Sequence, residues 1–442
     1  MRRMLVLIAV CLVSGGAGAQ TLQEALVRAY GNHPDLLGAQ AGLRATDEQV
    51  AKARAGWLPT VAITSGLGRQ SNGVSDKRFS QNYNSAHAGL TLSQPIFDGG
   101  SAYYNTAQAR NSVFAGRADL IGTEQSVLLN AATAYQDVLR ERALLSLARE
   151  KERALGQHFS DLTIRFKAGA LTQTDVDQAN SRYLSVRAAS AAQVGQLEAS
   201  EAAFLAAVGE PPRQLTPPAP PANLPPSSEE AARIADQLSP TVLGSLFRER
   251  AARAQIDVAR SALLPSVGAS INVGRDYGYT VPNSRTNALG ATLNLSVPLY
   301  QGGANVASVK AATETAEQSR MTTLSTRRTA IQNAVSAFAS WRSNTEALKI
   351  SAQQVTAAQA AYNGVLRQAA IGARGTYELL GQLQDLFDAR ATQINLQHDT
   401  IVSAYRVLVA LGRFTVDGLR LPVEMYDPTA HYEIARTRGG LP

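Results

Sequence analysis

The sequence predicts a mixed α and β membrane protein: strands from several chains close one barrel, a long α-helical coiled coil continues it, and each chain is two tandem structural repeats. Three observations predict it. Landmarks recur at a nearly constant offset, period-two segments lie between prolines, and two proline-free runs each extend for about 68 residues.

The repeat comes first, because it sets the frame for every element. Leu58-Pro59-Thr60-Val61 returns as Leu264-Pro265-Ser266-Val267, with Pro59 and Pro265 206 residues apart. Gln94-Pro95-Ile96-Phe97-Asp98-Gly99-Gly100 returns as Val297-Pro298-Leu299-Tyr300-Gln301-Gly302-Gly303, 203 residues on. Ala168-Gly169-Ala170 against Ile371-Gly372-Ala373, and Val208-Gly209 against Leu411-Gly412, keep the offset of 203. The expected organisation is a first repeat over 20–210, with strands at about 60–97, a long helix at about 100–168 and a return helix at about 172–208. A Pro-rich connector follows over 211–228, where missing N–H donors and fixed φ exclude helix or sheet. The second repeat spans 229–413, with strands at about 265–299, a long helix at about 303–371 and a return helix at about 374–411. The segment 414–442 is an equatorial tail whose last residues, with Arg436, Arg438 and Gly439-Gly440, read as disordered.

The strands are predicted by alternation. Leu289, Ala291, Leu293, Leu295 and Val297 share one face, and Gly290, Thr292, Asn294 and Ser296 share the other. Val267, Ala269, Ile271 and Val273 alternate in the same way, as do Val61, Ile63 and Leu67, then Ala88, Leu90 and Leu92. Each strand is expected to be about 9–10 residues long, the reach of a tilted transmembrane strand, with lipid on the apolar side. Gly290, Thr292, Asn294 and Ser296 are accordingly expected to face the lumen, and the polar stretches Gln70–Ser85 and Asp276–Asn287 to form hairpin loops. Four strands cannot close a barrel, and an open edge in lipid leaves unpaired backbone groups, so chains must combine. Three copies give twelve strands and room for a bore, which suits the small polar residues of the inner face.

The long runs carry heptad spacing at Val127, Ala131, Ala134, Val138, Leu145 and Ala148, and at Ala334, Phe338, Trp341, Thr345, Leu348, Ala352 and Val355. Such seams pack as coiled coils. Gly169 and Gly372 are the turn glycines after which each chain direction reverses.

Residues 1–19 are expected to be a secretory signal: Arg2 and Arg3, an apolar run from Leu5 to Val13, then Ala17-Gly18-Ala19. Cys11, the sole cysteine, lies within that run rather than after it, which argues against a lipid anchor. The net charge of +7 is spread along helices with acidic neighbours, so nucleic-acid binding is not expected. His33, His87, His158, His398 and His431 show no metal-ligand spacing, and no phosphate loop or nucleophile elbow occurs, so neither catalysis, metal nor cofactor is expected.

At this point the sequence resembles the TolC family of outer-membrane factors over about Thr21 to Thr415. The matching motifs are Asn32-His33-Pro34-Asp35-Leu36, the Leu-Pro corner before each first strand, the Pro-Ile-Phe-Asp-Gly-Gly corner, Arg165-Phe166-Lys167-Ala168-Gly169 with Thr174-Asp175-Val176, and Gly372-Ala373-Arg374. The resemblance implies a homotrimer in the outer membrane with its helical part in the periplasm. It implies a periplasmic adaptor (membrane fusion) protein and an inner-membrane ABC or proton-driven pump as partners, membrane lipid around the barrel, and passive conduction of protein or small-molecule cargo. It also implies a gate at the periplasmic helix tip: Thr174 and Asp175 match the family's acceptor positions, Arg374 their basic partner, and Glu378 a cation-favouring carboxylate. An Asp175–Arg374 latch is therefore expected. The sequence departs from the family at Ala369, where a tyrosine stands, and at Gly381, the place of a second carboxylate. The rival reading is a non-conducting coiled-coil adhesin or periplasmic scaffold.

Overall fold

In the computed structural model, which describes residues 20–73, 80–221, 223–278 and 283–437, one run of elements occurs twice. The first pass is α1 (Leu22–Asn32), α2 (Pro34–Arg54), β1 (Thr60–Gly73), β2 (Ser80–Phe97), α3 (Ser101–Lys167) and α4 (Gln173–Val208). The second is α5 (Ser228–Leu238), α6 (Pro240–Ser261), β3 (Ser266–Tyr277), β4 (Arg285–Ser296), α7 (Ala304–Ala370) and α8 (Thr376–Ala410). Two short helices, α9 (Val416–Leu419) and α10 (Ala430–Thr437), close the chain. Residues 1–19 and Cys11 lie outside the described residues.

Local chemistry sets the element ends. Thr21 caps α1 with a capping box, its hydroxyl accepting from Glu24 N while the Glu24 carboxylate accepts from Thr21 N. Asp98 starts α3 by accepting from the backbone N–H groups of Gly100 and Ala102. The corner glycines before α3 and α7 all take positive φ, and a Cβ on Gly99 would lie 2.5 Å from Ser261 O. α3 and α7 have 67 residues each, a rise of ~100 Å at ~1.5 Å per residue.

The chain forms two compact units. One comprises the chain to Leu37, Thr123–Ala235 and Gln332–Met425; the other comprises Gly38–Gly122, Asp236–Ile331 and the chain from Tyr426. The core of the first is built around Tyr135, Phe204, Leu128, Phe414 and Leu411, all under 2 % exposed. Tyr135 ties chain ends together: its hydroxyl lies 2.8 Å from Gln20 O and 2.7 Å from Thr216 O, and accepts from Thr216 N. Burial pushes its phenol above the usual range.

The second unit holds one antiparallel sheet in the order β1-β2-β3-β4, so its central pairing, β2 with β3, joins the two repeats. The strands are 14, 18, 12 and 12 residues long, longer than the 9–10 expected from the apolar alternation. Both ends of the segments expected as loops are ladder: Gln70 pairs with Tyr83, Gly73 with Ser80, and Asp276 with Thr286, while residues 74–79 and 279–282 lie outside the described residues. Polarity marks where the apolar face stops, not where the backbone stops pairing, because ladder hydrogen bonds do not depend on side-chain polarity.

Two further expectations need correction. Arg436 sits in α10 rather than in a disordered tail, and Tyr432 and Ala435 of that helix are buried, Tyr432 against Val50 and Val113. The tail is held because it carries an aromatic side chain with a core to enter; residues 438–442 lie outside the described residues. The two seams also differ. Val127, Ala131, Ala134, Val138 and Leu145 are buried, as are Ala334 and Phe338, but Thr345 and Ala352 are exposed. Trp341, Leu348 and Val355 of the same seam are half-buried, so the later half of the α7 seam is only partly covered within one chain.

Candidate functional site

Two features can do something beyond folding: the two faces of the sheet and the two helical turns. On the sheet, antiparallel register lines up the aliphatic residues across all strands. Val61 faces Leu92, Leu92 faces Ile271 and Ile271 faces Ala291; Ile63 faces Leu90, Leu90 faces Val273 and Val273 faces Leu289. These side chains stand out of the protein: Ile63 is 81 % exposed, Leu67 92 % and Leu289 80 %. A coherent, exposed aliphatic face this large belongs against lipid or protein, not water.

The opposite face is polar and hydrogen-bonded across strands. Thr91 donates to Asn272 at 2.9 Å, and the hydroxyls of Ser270 and Thr292 meet at 2.7 Å. Gly290, Thr292, Asn294 and Ser296 share this face, opposite Asn272, Ser270, Gly268 and Ser266.

The turns are two versions of one design. Gly169 has φ +79° and Gly372 +75°. In each, the following residue reaches back five positions, Ala170 N to Arg165 O at 3.0 Å and Ala373 N to Gln368 O at 2.9 Å, closing the spent helix. The entering helices then differ by one residue. α4 is capped by Thr172, whose hydroxyl and N–H donate to Asp175 Oδ2 at 2.7 and 3.1 Å. These bonds hold the Asp175 carboxyl below its usual range. At the equivalent place α8 has Gly375, which offers no side-chain cap, so Glu378, the counterpart of Asp175, pairs instead with Arg374 at 2.8 Å. Arg374 also donates to Gln368 at 3.2 Å.

The structure thus does not bring Asp175 and Arg374 into a direct bond within one chain. Both line a crevice of about 550 Å³ together with His158, Asp161, Arg165 and Ala369. Thr174 is an exposed residue in the first turn of α4. Burial holds the His158 imidazole below its ordinary range, and its Nε2 lies 3.4 Å from Tyr362 Oη.

Beneath the turns lies an apolar cluster that sequence reading passed over: Leu155 and Leu162 of α3, Ala179 and Val186 of α4, and Leu380, Leu383 and Phe387 of α8. Arg390 with Glu150 at 2.9 Å and Lys151 with Asp388 at 3.6 Å flank it. The signal was available in the i, i+3, i+7 spacing of Leu380, Leu383 and Phe387, but only tertiary packing says which helices it meets. Among the described residues no cluster could hold a metal ion, and no helix is long and apolar enough to cross a membrane.

The sequence profile of outer membrane efflux proteins matches residues 25–210 and 232–413. The outer membrane efflux protein BepC of Brucella suis is 30 % identical over 438 residues, 98 % of this chain and 94 % of that protein. The outer membrane protein TolC of Vibrio cholerae is 25 % identical, over 90 % of this chain and 92 % of that one. The crystal structure of the CmeC outer membrane channel of Campylobacter jejuni superposes with a TM-score of 0.80 at 16 % identity, covering 94 % of this chain and 89 % of that one.

Proposed function

The chain belongs to the outer membrane efflux protein family, and from that premise we propose that three copies form an outer-membrane exit duct that passes cargo delivered by an inner-membrane pump, doing no chemistry of its own. The observation that carries this is the aliphatic face of the sheet, in register across four strands and exposed, with unpaired edges at β1 and β4. In lipid each unpaired backbone group costs several kcal/mol, so the edges must meet partners. Three copies join β4 of one chain to β1 of the next and make a twelve-stranded wall, with Gly290, Thr292, Asn294 and Ser296 toward water. The exposed seam residues Thr345 and Ala352 of α7 support the same assembly, since a neighbouring copy can cover them.

We place the gate at the turns, where Asp175 and Arg374 line one crevice and Thr174 and Glu378 stand in the first turns of α4 and α8. Arg374 pairs with Glu378 inside its own chain and exchanges it for Asp175 of a neighbouring copy when the tip closes. A periplasmic adaptor that binds the open arrangement better shifts the balance toward opening. The cargo class, protein or small molecule, is set by the pump and not by these residues.

Reconstitution of the processed protein in a planar bilayer tests this reading. Discrete conductance steps and a crosslinked trimer are expected. A soluble monomer that never enters the bilayer refutes it and favours the scaffold reading, which predicts no conductance.

A further inference from the structure

We infer that a basic, aromatic-rimmed cleft between α2, α3 and α10, at the helical end of the sheet, binds the phosphate head of an anionic phospholipid in the periplasm-facing leaflet. The inference rests on the duct reading, because it needs the aliphatic face of the sheet to stand in lipid.

Helical spacing builds the cleft. On α2 and the short turn of helix that continues it to Trp57, Val50, Arg54 and Trp57 lie at i, i+4 and i+7. On α3, Tyr103, Thr106 and Arg110 lie at i, i+3 and i+7, so each set shares one helix face. α10 adds Arg436, four residues after the buried Tyr432, whose ring packs against Val50. These side chains line one cleft of about 600 Å³ inside a single compact unit, within the ~300–1,000 Å³ usual for small-ligand sites.

Three guanidinium groups border the cleft, and no carboxylate lines it among the described residues. Arg436 is shared with Glu433 of its own helix at 3.0 Å. Arg54 donates to the backbone carbonyl of Arg436, a bond that fixes its head without cancelling its charge. Arg110 has no ion pair among the described residues. A guanidinium fork offers phosphate oxygens two parallel N–H donors and gives up its water more readily than an ammonium does.

Position selects a lipid phosphate. Trp57 stands three residues before β1 and Tyr103 six residues after β2, at the end of the sheet where Thr60 pairs with Ser93. Both rings are exposed, Trp57 44 % and Tyr103 63 %. The apolar surface begins beside them, with Leu58, Val61 and Phe97 also exposed. Tryptophan and tyrosine at such a border mark headgroup level, where an apolar ring body and a polar tip are both satisfied. A phosphate held by Arg54 and Arg110 therefore sits at the depth of lipid headgroups, and its acyl chains have the aliphatic face to lie against.

Trp57 also supplies the probe, because the one other tryptophan, Trp341, lies in the other unit. With Trp341→Phe as background, the processed protein is placed in phosphatidylcholine bilayers. Quenching of Trp57 fluorescence is then compared between brominated phosphatidylglycerol and brominated phosphatidylcholine at equal mole fraction. One basic side chain near the surface is worth about fivefold in binding an anionic lipid, so a preference of at least ~5-fold for phosphatidylglycerol is expected. Arg110→Gln should lose most of it, and Arg110→Lys should keep only part, having the charge without the fork. Lys52→Gln, on α2 but outside this cleft, removes the same charge and should leave the preference intact. A chain ending at Thr437 should keep it as well, because the described residues suffice. Equal quenching by the two lipids, in protein that inserts and conducts, overturns the inference alone and leaves the cleft to an acidic protein segment. A preference that survives Arg110→Gln, or that Lys52→Gln or the truncation abolishes, overturns it too. Failure of the wild type to insert and conduct overturns the duct reading and takes this inference with it.

Discussion

Replacing Leu380 by alanine separates the two forces available to hold the helical tip. Leu380 belongs to the second hairpin but is 2 % exposed, buried among Leu155, Leu162, Ala179 and Val186 of the first. Truncating such a leucine costs ~2–5 kcal/mol in lost transfer energy and cavity. Arg374 is 51 % exposed, so the latch proposed between it and Asp175 of a neighbouring copy is an exposed ion pair, a kind that contributes ~0–1 kcal/mol. Every ~1.4 kcal/mol is a tenfold change in an equilibrium. Leu380→Ala is therefore expected to raise the open fraction of the tip at least ~10-fold, and neutralising Asp175 and Arg374 together to raise it by less than ~10-fold per chain. Single-channel recording reads the open fraction, and amide hydrogen exchange over the first turns of α8 reads the loosening directly. If the charge-neutral double variant opens the channel while Leu380→Ala leaves both readouts unchanged, the apolar cluster is not the closing force and the reasoning fails.

Three other outcomes follow from particular side chains. Leu293→Arg, on the aliphatic face at 69 % exposure, should lose ~2–4 kcal/mol in the bilayer and fall out of the outer-membrane fraction, whereas Thr292→Arg on the polar face should insert; equal fractionation contradicts the face assignment. Tyr135→Phe deletes the hydroxyl shared by Gln20 O, Thr216 O and Thr216 N, a loss of ~1–3 kcal/mol that should make the connector at Pro211–Pro225 sensitive to protease, as limited digestion would reveal. Burial pushes the Glu124 carboxyl above its usual range, although it accepts from Val416 N at 2.7 Å. Its raised folded value favours folding below the unfolded value and loses that contribution as pH rises through the folded one. Glu124→Gln should therefore raise the melting temperature at neutral pH, with the gain vanishing in acid.

Much of the architecture was legible because its signals are local. Proline and glycine act through their own φ: Gly169 and Gly372 stand at positive φ where each helix ends, and Gly-Gly precedes both α3 and α7. Strand faces were readable where aliphatic residues alternate, and became unreadable past Gln70 and Asp276, where both faces are polar though the ladder goes on. The candidate gate was readable as positions but not as partners. Asp175 and Glu378 occupy the same place in the two repeats, yet a threonine cap occupies one and a glycine leaves the other free for Arg374. His87 looked like a stray histidine and Asp276 like a loop residue, because the register that makes them neighbours pairs residues from different repeats.

The amino-acid order alone determined the tandem repeat, the turn positions, the period of each strand and helix, and hence the family and its fold, since each of these is set by dihedral preference or by spacing along one chain. Tertiary structure decided what those spacings meet: which strand lies beside which, that α10 is held by Tyr432, that Leu380 crosses between hairpins, and that the imidazole of His87 meets Asp276 across the β2–β3 ladder. Such choices are made by packing and register between segments remote in sequence, whose energies depend on both partners at once and so are written in neither segment by itself.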